Sequence, residues 1–157
     1  VGTAAELRAA MLARAGDSDA VVMAAAVADF RPVTAAVHKI KKSGTAPPPL
    51  PLATSPDVLI ELVAARRGGQ VIVGFAAETG DDTGDVLQHG RAKLSRKGCD
   101  LLVVNDVADG RAFGTPDNEA VLLGADGSVT SVPRGGKAAL AAAVWSGVVD
   151  RLGSRAD

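Results

Sequence analysis

Apolar and polar positions alternate along this chain in two distinct periods. Residues 4–15 carry Leu7, Ala10, Met11 and Ala15 at helical spacing, so a helix is expected there. Thr3 is its candidate N-cap, Glu6 the capping-box partner three residues on, and Gly16 the stop signal. Residues 20–27 (AVVMAAAV), 71–77 (VIVGFAA) and 101–104 (LLVV) are unbroken apolar runs. Short runs of that kind suit parallel strands covered on both faces. Helical stretches at 56–67 and 84–97 separate them, and β-α-β alternation implies right-handed crossovers and a parallel sheet. Residues 37–52 are basic and then proline-rich (Pro47, Pro48, Pro49, Pro51), which predicts a projecting arm or edge hairpin. Residues 119–132 read as an antiparallel hairpin turning at Asp126-Gly127-Ser128, and 137–152 as a closing helix with Leu140, Val144, Val148 and Leu152 on one stripe. The expected fold is α/β: a three-layer, Rossmann-like open parallel sheet with a projecting basic flap and a C-terminal antiparallel hairpin. No internal repeat or linker divides the chain, so residues 1–157 are read as one domain.

Composition narrows the function classes. Of the 157 residues, 47% are hydrophobic, enough for a core and too many for disorder. Seventeen basic residues against eighteen acidic ones give a net charge of −1, so no overall basic excess points to nucleic acid. The single cysteine, Cys99, excludes an internal disulfide. With no secretory leader in view, a reducing, cytoplasmic setting is expected. No apolar run approaches the ~20 residues of a membrane helix.

Open α/β sheets bind ligands outside the carboxyl ends of their strands. That rule brings forward Ala25, Ala26 and Asp29 after the first run, Phe75 to Thr79 ending the second, and Asn105 and Asp106 after the third. Asp29 suits a ribose hydroxyl or a magnesium ion on a phosphate, or equally a turn cap. Ala25 and Ala26 would let a ligand reach the backbone, or simply allow tight packing. Ser55 and Pro56 fit the N-cap and first position of a helix whose free N–H groups, around Asp57, Val58 and Leu59, suit phosphate or sugar oxygens. Lys93 and Lys97, four apart, share a helix face and could meet an anion, or form a solvated basic face. Lys39, Lys41 and Lys42 put a cationic patch on the flap, as a lid over phosphate or as protection for an edge strand. Asn105 and Asp106 could bind a polar substrate or cap a turn. Phe113, Gly114 and Asn118 mark a loop of open function. His38 and His89 have no metal-ligand spacing, so no protein-held metal is expected. Cys99, before a buried strand, reads as a small core residue. There is no GxGxxG, Walker A motif or serine nucleophile elbow.

Taken in order, AAAVADF, KIKK, SPDVL, VGFAAET, KLxxKG, NDV and FGxxxN resemble the phosphopantothenate–cysteine ligase family, from about Ala4 to the final helix. The resemblance implies that CTP and 4′-phosphopantothenate form an acyl-cytidylate, which the amine of L-cysteine then attacks, releasing CMP. Magnesium would accompany CTP. FMN would belong only to the decarboxylase that precedes such domains in bifunctional bacterial proteins of coenzyme A biosynthesis. By position, Asp29, Lys39, Phe75, Lys93 and Lys97 match CTP-binding residues, Pro56, Asp57, Val58 and Leu59 a CTP-contacting stretch, and Ala25 and Ala26 backbone sites near the nucleotide and acyl intermediate. Lys39 and Ala26 are the expected catalytic positions, and Asn105 and Asp106 the substrate-binding ones. A homodimer through the flap and sheet edge is expected, with no nucleic acid or membrane partner. The family's GGTxExID-like segment and SSGxMG-like turn do not occur here, so the chain is expected to be the later portion of the ligase domain and inactive alone. The alternative is a non-catalytic nucleotide-binding or dimerisation module of the same fold. The choice of CTP over ATP, and whether the flap serves its own subunit, stay open.

Overall fold

The computed structural model describes residues 1–42, 44, 46, 49–107 and 117–154. Its elements run α1 (Ala4–Ala15), β1 (Ala20–Met23), β2 (Phe30–Pro32), β3 (Leu52–Thr54), α2 (Val58–Ala64), β4 (Val71–Glu78), α3 (Val86–Lys97), β5 (Leu101–Asp106), β6 (Asp117–Gly124), β7 (Val129–Gly136) and α4 (Lys137–Gly153). The main sheet has the order β1-β4-β5-β6-β7. β1, β4 and β5 are parallel, while β6 and β7 add an antiparallel edge.

The alternating side chains of the central strands sort into two cores. Ile72, Ala76, Leu102 and Val104 face α1, α2 and α3, together with Leu59, Leu62, Met11 and Leu94. Val71, Val73, Leu101 and Val103 face α4 through Leu140, Val144 and Val148. This is the expected three-layer arrangement. Where helices seat closely, glycine makes room: a Cβ at Gly74 would stand 2.5 Å from Leu59 Cδ2, and one at Gly90 would stand 2.8 Å from Val104 Cγ2.

Local chemistry explains the boundaries. Thr3 Oγ1 accepts the Glu6 N–H at 3.1 Å, as a cap should. The Glu6 carboxylate, however, accepts from Gly2 N rather than from Thr3 N, so the reciprocal half of the expected capping box is absent. Gly16 ends α1 in right-handed geometry (φ −58°), so its backbone freedom is not what stops the helix. The first apolar run leaves the sheet after Met23, four residues before its hydrophobicity ends. The second helix starts later than expected. Asp57, not Ser55, is its N-cap and accepts the Ile60 N–H at 3.2 Å. α3 opens on a complete box between Asp85 and Gln88 and closes on Gly98 at φ 69°.

The flap is anchored by β2 pairing antiparallel with β3, outside the main sheet. Its base is closed by the Ser55 N–H donating to Asp29 O at 2.8 Å. Among the described residues, the fold buries two polar side chains, Gln70 and Asp100. Gln70 Nε2 donates to Ala15 O (2.6 Å) and Ser18 O (2.7 Å), tying α1 to β4. Asp100 accepts the Ile72 N–H at 2.8 Å and pairs with Arg66.

Candidate functional site

Beyond Met23 the chain runs across the carboxyl end of the sheet instead of continuing in it, and this irregular stretch floors a cavity of about 550 Å³. Ala25, Ala26 and Asp29 line it from that stretch. Pro56, Asp57, Val58 and Leu59 line it from the start of α2, and Phe75 from β4. Lys93 and Lys97 come from α3, with Arg96 between them. Spacings of three and four residues set all three cations on one helix face. The position is the one expected for open α/β sheets, outside the carboxyl ends of β1 and β4.

Three expected site residues do not line this cavity: Lys39, Asn105 and Asp106. Lys39 sits exposed on the flap. Asn105 and Asp106 end β5, where Asn105 Oδ1 accepts from Asn118 Nδ2 at 3.2 Å. The fold takes up Asn118 in this way, whereas Phe113 and Gly114 lie outside the described residues. The sequence reading missed Arg96. It occupies a variable position of KLxxKG, and only the i, i+3, i+4 relation to Lys93 and Lys97 could have shown it.

The cations do not stand alone. Lys93 is ion-paired with Glu78 at the end of β4. Lys97 is ion-paired with Asp57, the cap of α2. Partial burial pushes the Asp57 carboxyl up, but the Lys97 ammonium, the Ile60 N–H and the more distant Arg96 outweigh it and hold it below its ordinary range. Among the described residues no carboxylate forms an ion pair with Arg96. The start of α2 offers less than a long helix would, because it has seven residues and the Asp57 carboxylate already takes the Ile60 N–H.

Other chemistry sits elsewhere. Cys99 is buried, and burial pushes its thiol up, away from nucleophilic use. His89 pairs with Asp81 at 3.0 Å in the turn before α3. Among the described residues no group of three or more His, Cys, Asp or Glu could hold a metal ion, and no helix is long and apolar enough to cross a membrane.

A five-stranded three-layer α/β domain with a cationic cavity at its parallel strand ends is thus the class defined here. Its backbone is similar to the crystal structure of the C-terminal domain of coenzyme A biosynthesis bifunctional protein CoaBC. The TM-score is 0.73 at 26% identity, over 98% of this chain and 67% of that one. The DNA/pantothenate metabolism flavoprotein from Streptococcus pneumoniae shares the fold, with a TM-score of 0.70 at 17% identity over 96% of this chain and 69% of that one. Residues 1–152 match the DNA/pantothenate metabolism flavoprotein C-terminal domain family, and the chain belongs to it. Among relatives, CoaBC of Mycolicibacterium smegmatis is 48% identical over 99% of this chain and 39% of its own length. CoaBC of Bacillus subtilis is 40% identical over 85% of this chain and 32% of its own. The chain therefore spans less than two-fifths of the length of these relatives.

Proposed function

We propose that this chain forms the larger part of the nucleotide site of a CTP-dependent phosphopantothenate–cysteine ligase acting in coenzyme A biosynthesis. The observation that carries the reading is the cavity in which α3 presents Lys93, Arg96 and Lys97 opposite the small residues Ala25 and Ala26. Family membership, and relatives named as coenzyme A biosynthesis bifunctional proteins, support it.

A carboxylate is a poor acylating agent, so amide formation needs an activated acyl group. The phosphopantothenate carboxylate attacks the α-phosphorus of CTP, forming the acyl-cytidylate and releasing pyrophosphate. The cysteine amine then attacks the acyl carbon, the amide forms, and CMP leaves. Lys93, Lys97 and Arg96 stabilise charge on the phosphates as it moves towards pyrophosphate. The short side chains of Ala25 and Ala26 leave their backbone groups open to the base and the acyl intermediate. Asp29 accepts from the ribose hydroxyls, and Phe75 walls the site. Pro56, Asp57, Val58 and Leu59 bound it on the α2 side. Lys39 serves as a lid lysine carried by the flap. Asn105 and Asp106 receive no part in nucleotide binding. Among the described residues, Asp29 and Asp57 supply the carboxylates of the lining, and magnesium is assigned to the substrate, as MgCTP. FMN belongs to a fused decarboxylase and to none of these residues. The flap, with Val37, Ile40, Leu50 and Leu52 exposed, is assigned to a homodimer contact. The protein is assigned to the cytoplasm.

The test is pyrophosphate release from CTP by the full-length protein carrying a glycine-rich segment of the family type. Release should require phosphopantothenate, and CMP release should further require cysteine. A folded full-length protein that releases neither supports instead a nucleotide-binding or dimerisation module. The isolated chain should not catalyse the full reaction, and ligation by it would refute that part.

A further inference from the structure

Glu78 is the last residue of β4. Its backbone is fixed by pairing in register with Asp106 and by accepting the Val107 N–H at 3.1 Å. The side chain turns inward: it is 16% exposed, and Oε1 is closed off from solvent. The group that meets Oε1 is the Lys93 ammonium, which lines the cavity, whereas Glu78 itself does not. A half-buried carboxylate with one oxygen closed off from solvent, directly behind an anion-binding wall, opposes anion binding, so its presence calls for a physical reason. The same arrangement recurs one turn along α3, where Asp57 holds Lys97. Lining cations and nearby carboxylates thus come close to cancelling: Lys93, Arg96 and Lys97 against Asp29, Asp57 and Glu78.

We propose that Glu78 is a resident counter-ion for Lys93: it holds the ammonium in place in the empty site, competes with phosphate oxygens for it, and reclaims it as pyrophosphate leaves. This rests on the nucleotide reading above. Glu78 is a positioning residue, because it reaches the ligand only through Lys93. The sign of its removal separates this role from that of a structural brace. Removing a brace misplaces Lys93 and weakens anion binding. Removing a competitor frees Lys93 and tightens it.

The experiment is a double-mutant cycle in the full-length protein, with inorganic tripolyphosphate as the probe in a binding titration. Glu78→Gln should bind it tighter, by about three- to tenfold, on the scale of one ordinary net hydrogen bond. Product inhibition by pyrophosphate should strengthen alongside. In a Lys93→Gln background the same change should move binding by less than about twofold, since the coupled partner is gone. Glu78→Met, similar in size and uncharged, should repeat the sign if the Gln variant folds poorly. Glu78→Asp, which keeps the charge, should bind as the parent does. Weaker binding in both uncharged variants, or equal tightening with and without Lys93, would overturn the proposal, as would a parent protein that binds no tripolyphosphate. A parent that binds tripolyphosphate but never releases pyrophosphate from CTP sinks the ligase reading alone, and leaves the cycle readable.

Discussion

Gly90 lies in the interior of α3, buried against the sheet. Substitution by alanine sets two effects against each other. Removing a glycine from a helix interior stabilises by about 1 kcal/mol. Here, however, the new methyl would sit 2.8 Å from Val104 Cγ2 and 3.1 Å from Leu123 Cδ1. Val104 is β-branched, stiff at χ1, 1% exposed, and lies on a strand with neighbours on both sides. It cannot swing aside, so α3 must lift. Overpacking of this kind costs about 1–3 kcal/mol. The net expectation for Gly90→Ala is a loss of about 0–2 kcal/mol, read as a lower urea midpoint at unchanged slope. Gly153→Ala, where nothing stands within 4 Å of the added Cβ, is the control and should not destabilise. Lifting α3 also carries Lys93 and Lys97 away from the cavity, so nucleotide affinity should fall with stability. A gain of the full ~1 kcal/mol at position 90, equal to an unobstructed site, would refute the close packing of α3 on β5.

Three further outcomes follow from other parts of the structure. Asp100→Ala should cost about 2–4 kcal/mol in chemical denaturation, because it leaves the buried Ile72 N–H unpaired and removes the partner of Arg66. Asp81 is held at about 2, first by the Thr83 hydroxyl and N–H and then by His89, against an ordinary 3.8. A carboxyl depressed on folding contributes above its unfolded value and loses that contribution as pH falls, so the 79–85 turn should loosen between about pH 4 and pH 2, seen in the Thr83 amide resonance. Lys97→Gln should weaken CTP binding by about tenfold, the scale of one charge-assisted contact, while Asp57 keeps its bond to Ile60 N and the start of α2 stays in place.

Much of the fold was legible because its signals are local. The runs at 71–77 and 101–104 became β4 and β5, and the stripe of Leu140, Val144 and Val148 did become the buried face of α4. The break after Met23 was not legible. Ala24 to Val27 are as apolar as β1, and what pulls them off the sheet is tertiary: the chain must cross the strand ends to reach β2. The cap of α2 was misplaced for a related reason. Ser55 and Asp57 are both good caps, and Ser55 is instead used to close the flap through its N–H to Asp29 O. At the site, the strand-end rule and the family motifs found most of the cavity wall. They overlooked Arg96 and brought Glu78 forward only as a strand-end residue without a role, because both roles depend on which side chains α3 turns inward and on what lies behind them. Lys39 stood out by charge and by its place in KIKK, and neither says that the flap holds it clear of the cavity.

The most direct test of the central claim is a crystal structure of the full-length protein with CTP and magnesium. The triphosphate should lie against Lys93, Arg96 and Lys97, the ribose on Asp29, and the base beside the backbone of Ala25 and Ala26. A nucleotide bound elsewhere, with this cavity occupied only by solvent at saturating CTP, would contradict it.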